Sequence, residues 1–241
     1  MGPVARRART APEGVDDVAV AVAGDDNRLR ILRAAERLMA DRGIDGVSLR
    51  EINRTANQGN ASALQYHFGD REGLLIAVLE RHQVHTDPRR HEMLDAYEAL
   101  GDGELRMLAS ALVVPLVEKL DDPDGGRAYL QVACEFYSRA RTPADLGRHR
   151  DPRHSMARWH RLVAARLPEQ EERRYPSRYP AVRLVLGEVA RRAQDPPKRD
   201  DALFASTLTD VVAAVLEAPA SPPTSELLHS RARRGRRTAG R

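Results

Sequence analysis

Over residues 28–41 the apolar positions Ile31, Leu32, Ala35, Leu38 and Met39 fall at i, i+1, i+4, i+7 and i+8, one stripe of a 3.6-residue period. The spacing predicts a helix, and Gly43 is placed to end it through a left-handed cap. Ser48 and Glu51 then form an S-x-x-E capping box ahead of a short helix over about 49–56, with Leu49, Ile52 and Ala56 turned inward. Asn57-Gln58-Gly59-Asn60 reads as a turn in which Asn57 can adopt the left-handed region. Asn60 is placed to cap a third helix over about 61–67, whose Leu64 and Phe68 are spaced i, i+4 for burial. Asp70 caps a fourth, with Leu74, Leu75, Val78 and Leu79 as its buried stripe. The second and third helices, joined by a tight turn, make a helix-turn-helix.

Beyond residue 82, turn-forming clusters divide the chain at Asp87-Pro88, 101–103, 121–126, 142–152, Pro168, the Tyr-Pro pairs at 175 and 179, Pro196-Pro197 and 219–223. Helical patterns lie between them at about 89–100, 103–120, 126–140, 153–167, 178–194 and 199–217. Pro115 is expected to kink the second of these. The last two carry Val182, Leu184, Val185, Leu186, Val189, Leu203, Phe204, Leu208, Val211, Val212, Val215 and Leu216, more apolar surface than a peripheral pair needs, as expected for a four-helix interface between subunits. No alternating strand pattern and no internal repeat occurs, so the expected class is all-α.

With Leu64 and Phe68 inward, the third helix turns Ala61, Ser62, Ala63, Gln65, Tyr66 and His67 outward. Small residues in its first turn permit close approach to the floor of a DNA major groove. Gln65 suits adenine, the Ala63 methyl suits a thymine methyl, and Tyr66 and His67 suit backbone phosphate.

Composition changes this picture little. A formal net charge of +4 suggests nucleic acid, but the only lysines are Lys119 and Lys198 among 39 basic residues, a skew that codon usage explains more simply. The acid-free terminal run Arg231, Arg233, Arg234, Arg236, Arg237 and Arg241 reads chiefly as a solvated tail. The longest apolar run, 111–117, is too short for a membrane span, and the N-terminus lacks a signal-peptide pattern, so a cytoplasmic protein is expected. Cys134 is alone and forms no disulfide framework. His82, His85 and His91 read as a solvated helix end rather than a metal site. His149, Asp151 and His154 read as part of an Arg-rich linker. With no phosphate-cradling loop, nucleophile elbow or zincin motif, neither catalytic nor metal-binding residues are expected, and no cofactor.

The segments SLREINRTA and SALQYHFGDREGLL resemble the DNA-binding region of the TetR (tetracycline repressor) family, over about residues 28–82. The resemblance implies an N-terminal helix-turn-helix three-helix DNA-binding domain followed by a larger helical ligand-binding and dimerisation domain. The expected division is a disordered leader at 1–26, the DNA-binding domain at 27–71, the second domain at 72–218 and a disordered basic tail at 219–241. It further implies a non-enzymatic homodimer that binds a palindromic operator and is released by a small-molecule effector. Carried over, Arg28, His67 and Arg71 match phosphate contacts, Ser48 and Arg50 match contacts at the start of the second helix, and Ser62, Ala63, Gln65 and Tyr66 lie on the recognition helix. The turn of 56–60 is one residue longer than the usual family turn. On the same analogy Met93, Tyr97, Met107, Cys134, Tyr137 and Trp159 line the ligand pocket. The alternative is a helical ligand-binding or metal-dependent hydrolytic protein with a vestigial DNA-binding motif.

Overall fold

The computed structural model describes residues 15–57, 62–139, 153–166, 178–197, 199–227 and 230. Among these every long element is an α-helix and none is a strand, so the chain is all-α. The first helix, α1 (Val15–Arg42), reaches back into the segment expected as leader and buries Ile31, Leu32, Ala35 and Met39, the stripe its spacing predicts. It stops at Gly43, whose φ of +82° lies in the region that favours glycine.

Local chemistry sets the next three elements. Ser48 caps α2 (Leu49–Thr55) by accepting from the Glu51 N–H at 3.2 Å. The reciprocal half of the capping box is replaced, because the Glu51 carboxylate accepts instead from Arg42 Nη1 at 2.5 Å and so ties α2 to α1. Asn57 has a φ of +55°, the left-handed turn position expected of it. Asn60 lies outside the described residues. Helix α3 (Ser62–Phe68) buries Leu64 and Phe68, at 2% and 9% exposure, and leaves Tyr66 at 86%. Asp70 caps α4 (Arg71–Leu100), its carboxylate accepting from the Gly73 N–H at 2.8 Å.

The break expected at Asp87-Pro88 does not occur, and α4 is one helix from Arg71 to Leu100. Proline removes one backbone donor, which frees the carbonyl one turn earlier, at Val84. Val84 and Pro88 are both exposed, so water can satisfy that carbonyl, while Thr86, Arg90 and Leu94 remain buried elsewhere on the helix. The buried Pro115 likewise lies inside α5 (Leu105–Val117), and just beyond it the chain tightens into a 3₁₀ turn at Glu118–Asp121.

Among the described residues four further long helices follow: α6 (Gly126–Arg139), α7 (Ser155–Arg166), α8 (Arg178–Gln194) and α9 (Asp201–Glu217). Helix α8 packs on α6 and α9 packs on α5. Consequently Val185, Leu186, Val189, Leu208, Val212 and Leu216, expected in part at a subunit interface, are core within this chain. Leu203 and Val211 are exposed on α9, and Leu184 on α8 is half-buried.

Phe68→Ala is expected to cost ~3–5 kcal/mol of stability, because it removes a buried ring that α4 and Arg28 pack against. Tyr66→Phe should stay within about 1 kcal/mol, as for a surface change. Thermal unfolding of the two variants checks the rotation of α3; a larger loss for Tyr66→Phe would overturn it.

Candidate nucleic-acid interface and ligand cleft

The two-turn α3 has one side to bury, and Leu64 with Phe68 fills it. Gln65 and Tyr66 are left exposed and His67 half-buried, with the Tyr66 ring edge-on to His67 at 5.2 Å between centroids. Ser62 and Ala63 lie in the first turn of the same helix. The Arg28 guanidinium of α1 sits 5.3 Å above the Phe68 ring, beside the far end of α3. Between α2 and α3 a shallow groove brings together Arg50, Arg54, Asn57, Gln65 and Arg71. Arg54 was missed by sequence reasoning, although its i, i+4 spacing from Arg50 places both on one side of α2.

Two expected contacts have internal work. The Ser48 hydroxyl is engaged as the α2 cap. Arg71 is half-buried and donates from Nη1 to the Val47 carbonyl at 2.6 Å and from Nη2 to the Ile44 carbonyl. It therefore holds the α1–α2 loop against the start of α4, a role that precedes any grip on phosphate.

The six residues expected around a ligand divide. Trp159 is fully buried, with its indole N–H donating to the Leu108 carbonyl at 2.7 Å. Tyr97 is buried, and Met93, Met107 and Cys134 pack as partly buried core, with burial pushing the Cys134 thiol up. Of the six, only Tyr137 lines the cleft among the larger helices, a space of about 630 Å³ counted with its open mouth. Its other walls are Thr86, Asp87 and Arg90 from α4 and Leu112 and Leu116 from α5. Tyr129 from α6, His154 and Met156 at the start of α7, and Val182 from α8 close it. Sequence spacing could not assemble this set, since its members come from five helices.

The histidines also differ from expectation. His82 is buried, not part of a solvated helix end. Its Nε2 lies 2.8 Å from the Glu36 carboxylate of α1, and its ring stacks on Tyr129 at 4.4 Å. Arg81 donates to the same Glu36 oxygen at 2.7 Å and to the Asp124 carboxylate at 2.5 Å. His91 lies against Arg158 and the Arg153 carbonyl. His154 lies 3.3 Å from Asp87, while His149 and Asp151 fall outside the described residues. Burial pushes the Tyr129 hydroxyl up to about 12, so it stays protonated at the cleft wall.

The α1–α4–α6 junction is electrostatically tight. The Arg33 hydrogen bond, with Arg81 beside it, holds the Asp124 carboxyl down to about 2. Gly125 follows with a φ of +89°, and a Cβ there would come within 1.8 Å of Glu36 Oε1. Helix α6 also bonds the turn between α1 and α2, Glu135 Oε2 accepting from the Ile44 N–H at 2.9 Å.

Residues 31–78 match the family model described as bacterial regulatory proteins, tetR family. The N-terminal domain belongs to the tetR family. No curated protein matches the chain significantly. Solved structures similar to the chain include a proposed TetR-family regulator from Rhodococcus sp., at 21% identity over 80% of this chain and 100% of that one, with a TM-score of 0.45. A proposed transcriptional regulator from Streptomyces coelicolor A3(2) follows at 24% identity, 80% and 99% coverage and a TM-score of 0.43. The multidrug binding protein EbrR, complexed with imidazole, has 24% identity, 80% and 92% coverage and a TM-score of 0.41. The tetR-family match spans α2, α3 and the start of α4, the elements that carry the groove.

Two outcomes are expected here. Arg71→Ala should lose about 1.5–3 kcal/mol in urea unfolding, the scale of hydrogen bonds from a charged donor to partly buried carbonyls. Because the folded pKa of Asp124 lies below its ordinary value of 3.8, its stabilisation is present above that value and is lost as pH falls through about 2. Asp124→Asn should therefore be less stable than the parent at neutral pH, with the gap closing near pH 2; equal gaps at both would contradict this.

Proposed function

We propose that this tetR-family chain is a sequence-specific DNA-binding transcriptional regulator, a repressor that a small molecule releases from a palindromic operator. The observation that carries the reading is the division of α3, with Leu64 and Phe68 buried and Gln65 and Tyr66 presented on one exposed helix of a helix-turn-helix. Gln65 reads a base edge. Tyr66, His67, Arg28 and Arg50 hold phosphate, while Ser48 and Arg71 set the angle between α2 and the start of α4 as well as lying at the duplex. Arg54 joins them from the end of α2.

Dimerisation supplies the second half-site. Leu203 and Val211 on α9 are exposed, and Gly187 on α8 has open space where a Cβ would project. Two such helices from each of two subunits form the four-helix contact of the homodimer. The cleft among α4 to α8 takes the effector. Its wall residue Tyr129 stacks on His82, which bonds Glu36 of α1, so movement at the cleft reaches the DNA-binding helices through packed groups.

Fluorescence anisotropy on duplexes recovered from a random pool tests this. Arg50→Ala removes one phosphate contact per subunit and should flatten the slope of log K against log salt by about two for a dimer, alike on all sequences. Gln65→Ala should keep the slope and cost ~1–3 kcal/mol on the selected duplex, relaxing preference at one base pair per half-site. Binding by the parent chain that shows no sequence preference, or recovered sites without dyad symmetry, would overturn the reading.

A further inference from the structure

Arg90 is 3% exposed at the wall of the cleft, and its hydrogen bonds are unevenly spent. Nε donates to the Ala111 carbonyl at 3.1 Å and Nη1 to the Ser155 hydroxyl at 2.8 Å, which fix the guanidinium plane. Nη2 has no acceptor among the described residues. Asp87, the nearest carboxylate, is 3.5 Å from Nη1 and is already engaged on both oxygens. The Ser155 hydroxyl donates to one at 2.6 Å, and His154 Nδ1 lies 3.3 Å from the other. Arg90 Nη2 is thus a cationic donor at this wall, held in place before any ligand arrives.

We propose that the cleft binds an apolar monocarboxylate, its carboxylate on Arg90 Nη2 and its hydrocarbon body against Leu112, Leu116, Met156 and Val182. The inference deepens the effector reading above and rests on it. A buried guanidinium whose ion pair is long is incompletely compensated for lost water, and a planar carboxylate accepts from it with matching geometry. Burial already draws the Arg90 pKa down, as expected for a cation short of a counter-charge. One negative charge suits the site better than two, because a phosphate dianion would have to sit beside Asp87 with a single guanidinium to offset it. Apart from Asp87, Gln83, Thr86 and the imidazoles of His154 and His160, the remaining wall is aliphatic or aromatic, which favours an apolar body.

Titration calorimetry of the full chain with octanoate and 4-phenylbutanoate, against their primary amides and octyltrimethylammonium, tests the chemistry without any variant. The acids should bind about tenfold or more tightly than the amides, the scale of one charge-assisted bond. Arg90→Gln should abolish that preference and Arg90→Lys retain part of it. Equal binding of acid and amide, preference for the cation, or binding of none of the probes overturns the inference. Duplex affinity measured in the same samples separates the two readings. Acid binding that leaves duplex affinity unchanged supports the carboxylate site and counts against release by ligand, whereas intact duplex binding with no acid binding overturns this inference alone.

Discussion

Glu36, a carboxylate at 1% exposure in the middle of α1, requires cationic partners wherever the chain folds, because an unpaired buried charge costs far more than a domain can spare. Arg81 of α4 meets that requirement directly, and the His82 ring adds a hydrogen-bond contact to the same Glu36 oxygen. Arg81 passes the constraint to Asp124, and Asp124 to Arg33 of α1, closing a ring of charges around the loop that leads into α6. Gly125 is the residue that lets this loop approach, since a side chain there would occupy the place of the Glu36 carboxylate. The helix that carries the DNA-binding half and the helices that wall the cleft are therefore joined by one buried carboxylate.

That junction gives the two halves something to exchange. Tyr129 belongs to both, lining the cleft and stacking on His82. Helix α6 touches the α1–α2 turn again through Glu135 and through the pair Arg139–Asp45 at 2.8 Å. Arg71 then fixes the same turn to the start of α4 through the Val47 and Ile44 carbonyls. A shift of α6 would be felt where α2 and α3 are aimed, and packed charged groups with few alternative arrangements carry such shifts better than a loose apolar seam would.

What was legible in the sequence was what obeys local rules. The α1 stripe, the Ser48 and Asp70 caps, the left-handed Asn57 and the buried pair Leu64 and Phe68 each depend on residues within about one or two turns. The misreadings have partners far along the chain. His82 looked like a solvated residue because Glu36 is 46 positions away; the structural half of Arg71's work was equally hidden, the carbonyls it holds being 24 and 27 positions back. Pro88 looked like a break, since local punctuation does not reveal that the neighbouring residues Thr86 and Arg90 would be buried by other helices. The cleft was the least legible element. Of the aromatic and sulfur-bearing residues that suggested it, most filled the core, and the group that defines its chemistry, Arg90, looked from sequence like any arginine of an Arg-rich chain.

The central claim is that the exposed side of α3 lies in the major groove. Photocrosslinking tests it most directly, with 5-iodouracil in place of each thymine of a selected duplex in turn, since the iodine occupies the position of the thymine methyl. Peptides crosslinked to the duplex are expected to span residues 62–68, with Gln65, Tyr66 or His67 as the modified position. Crosslinks confined to the basic run at 231–241, or to α8 and α9, would contradict it.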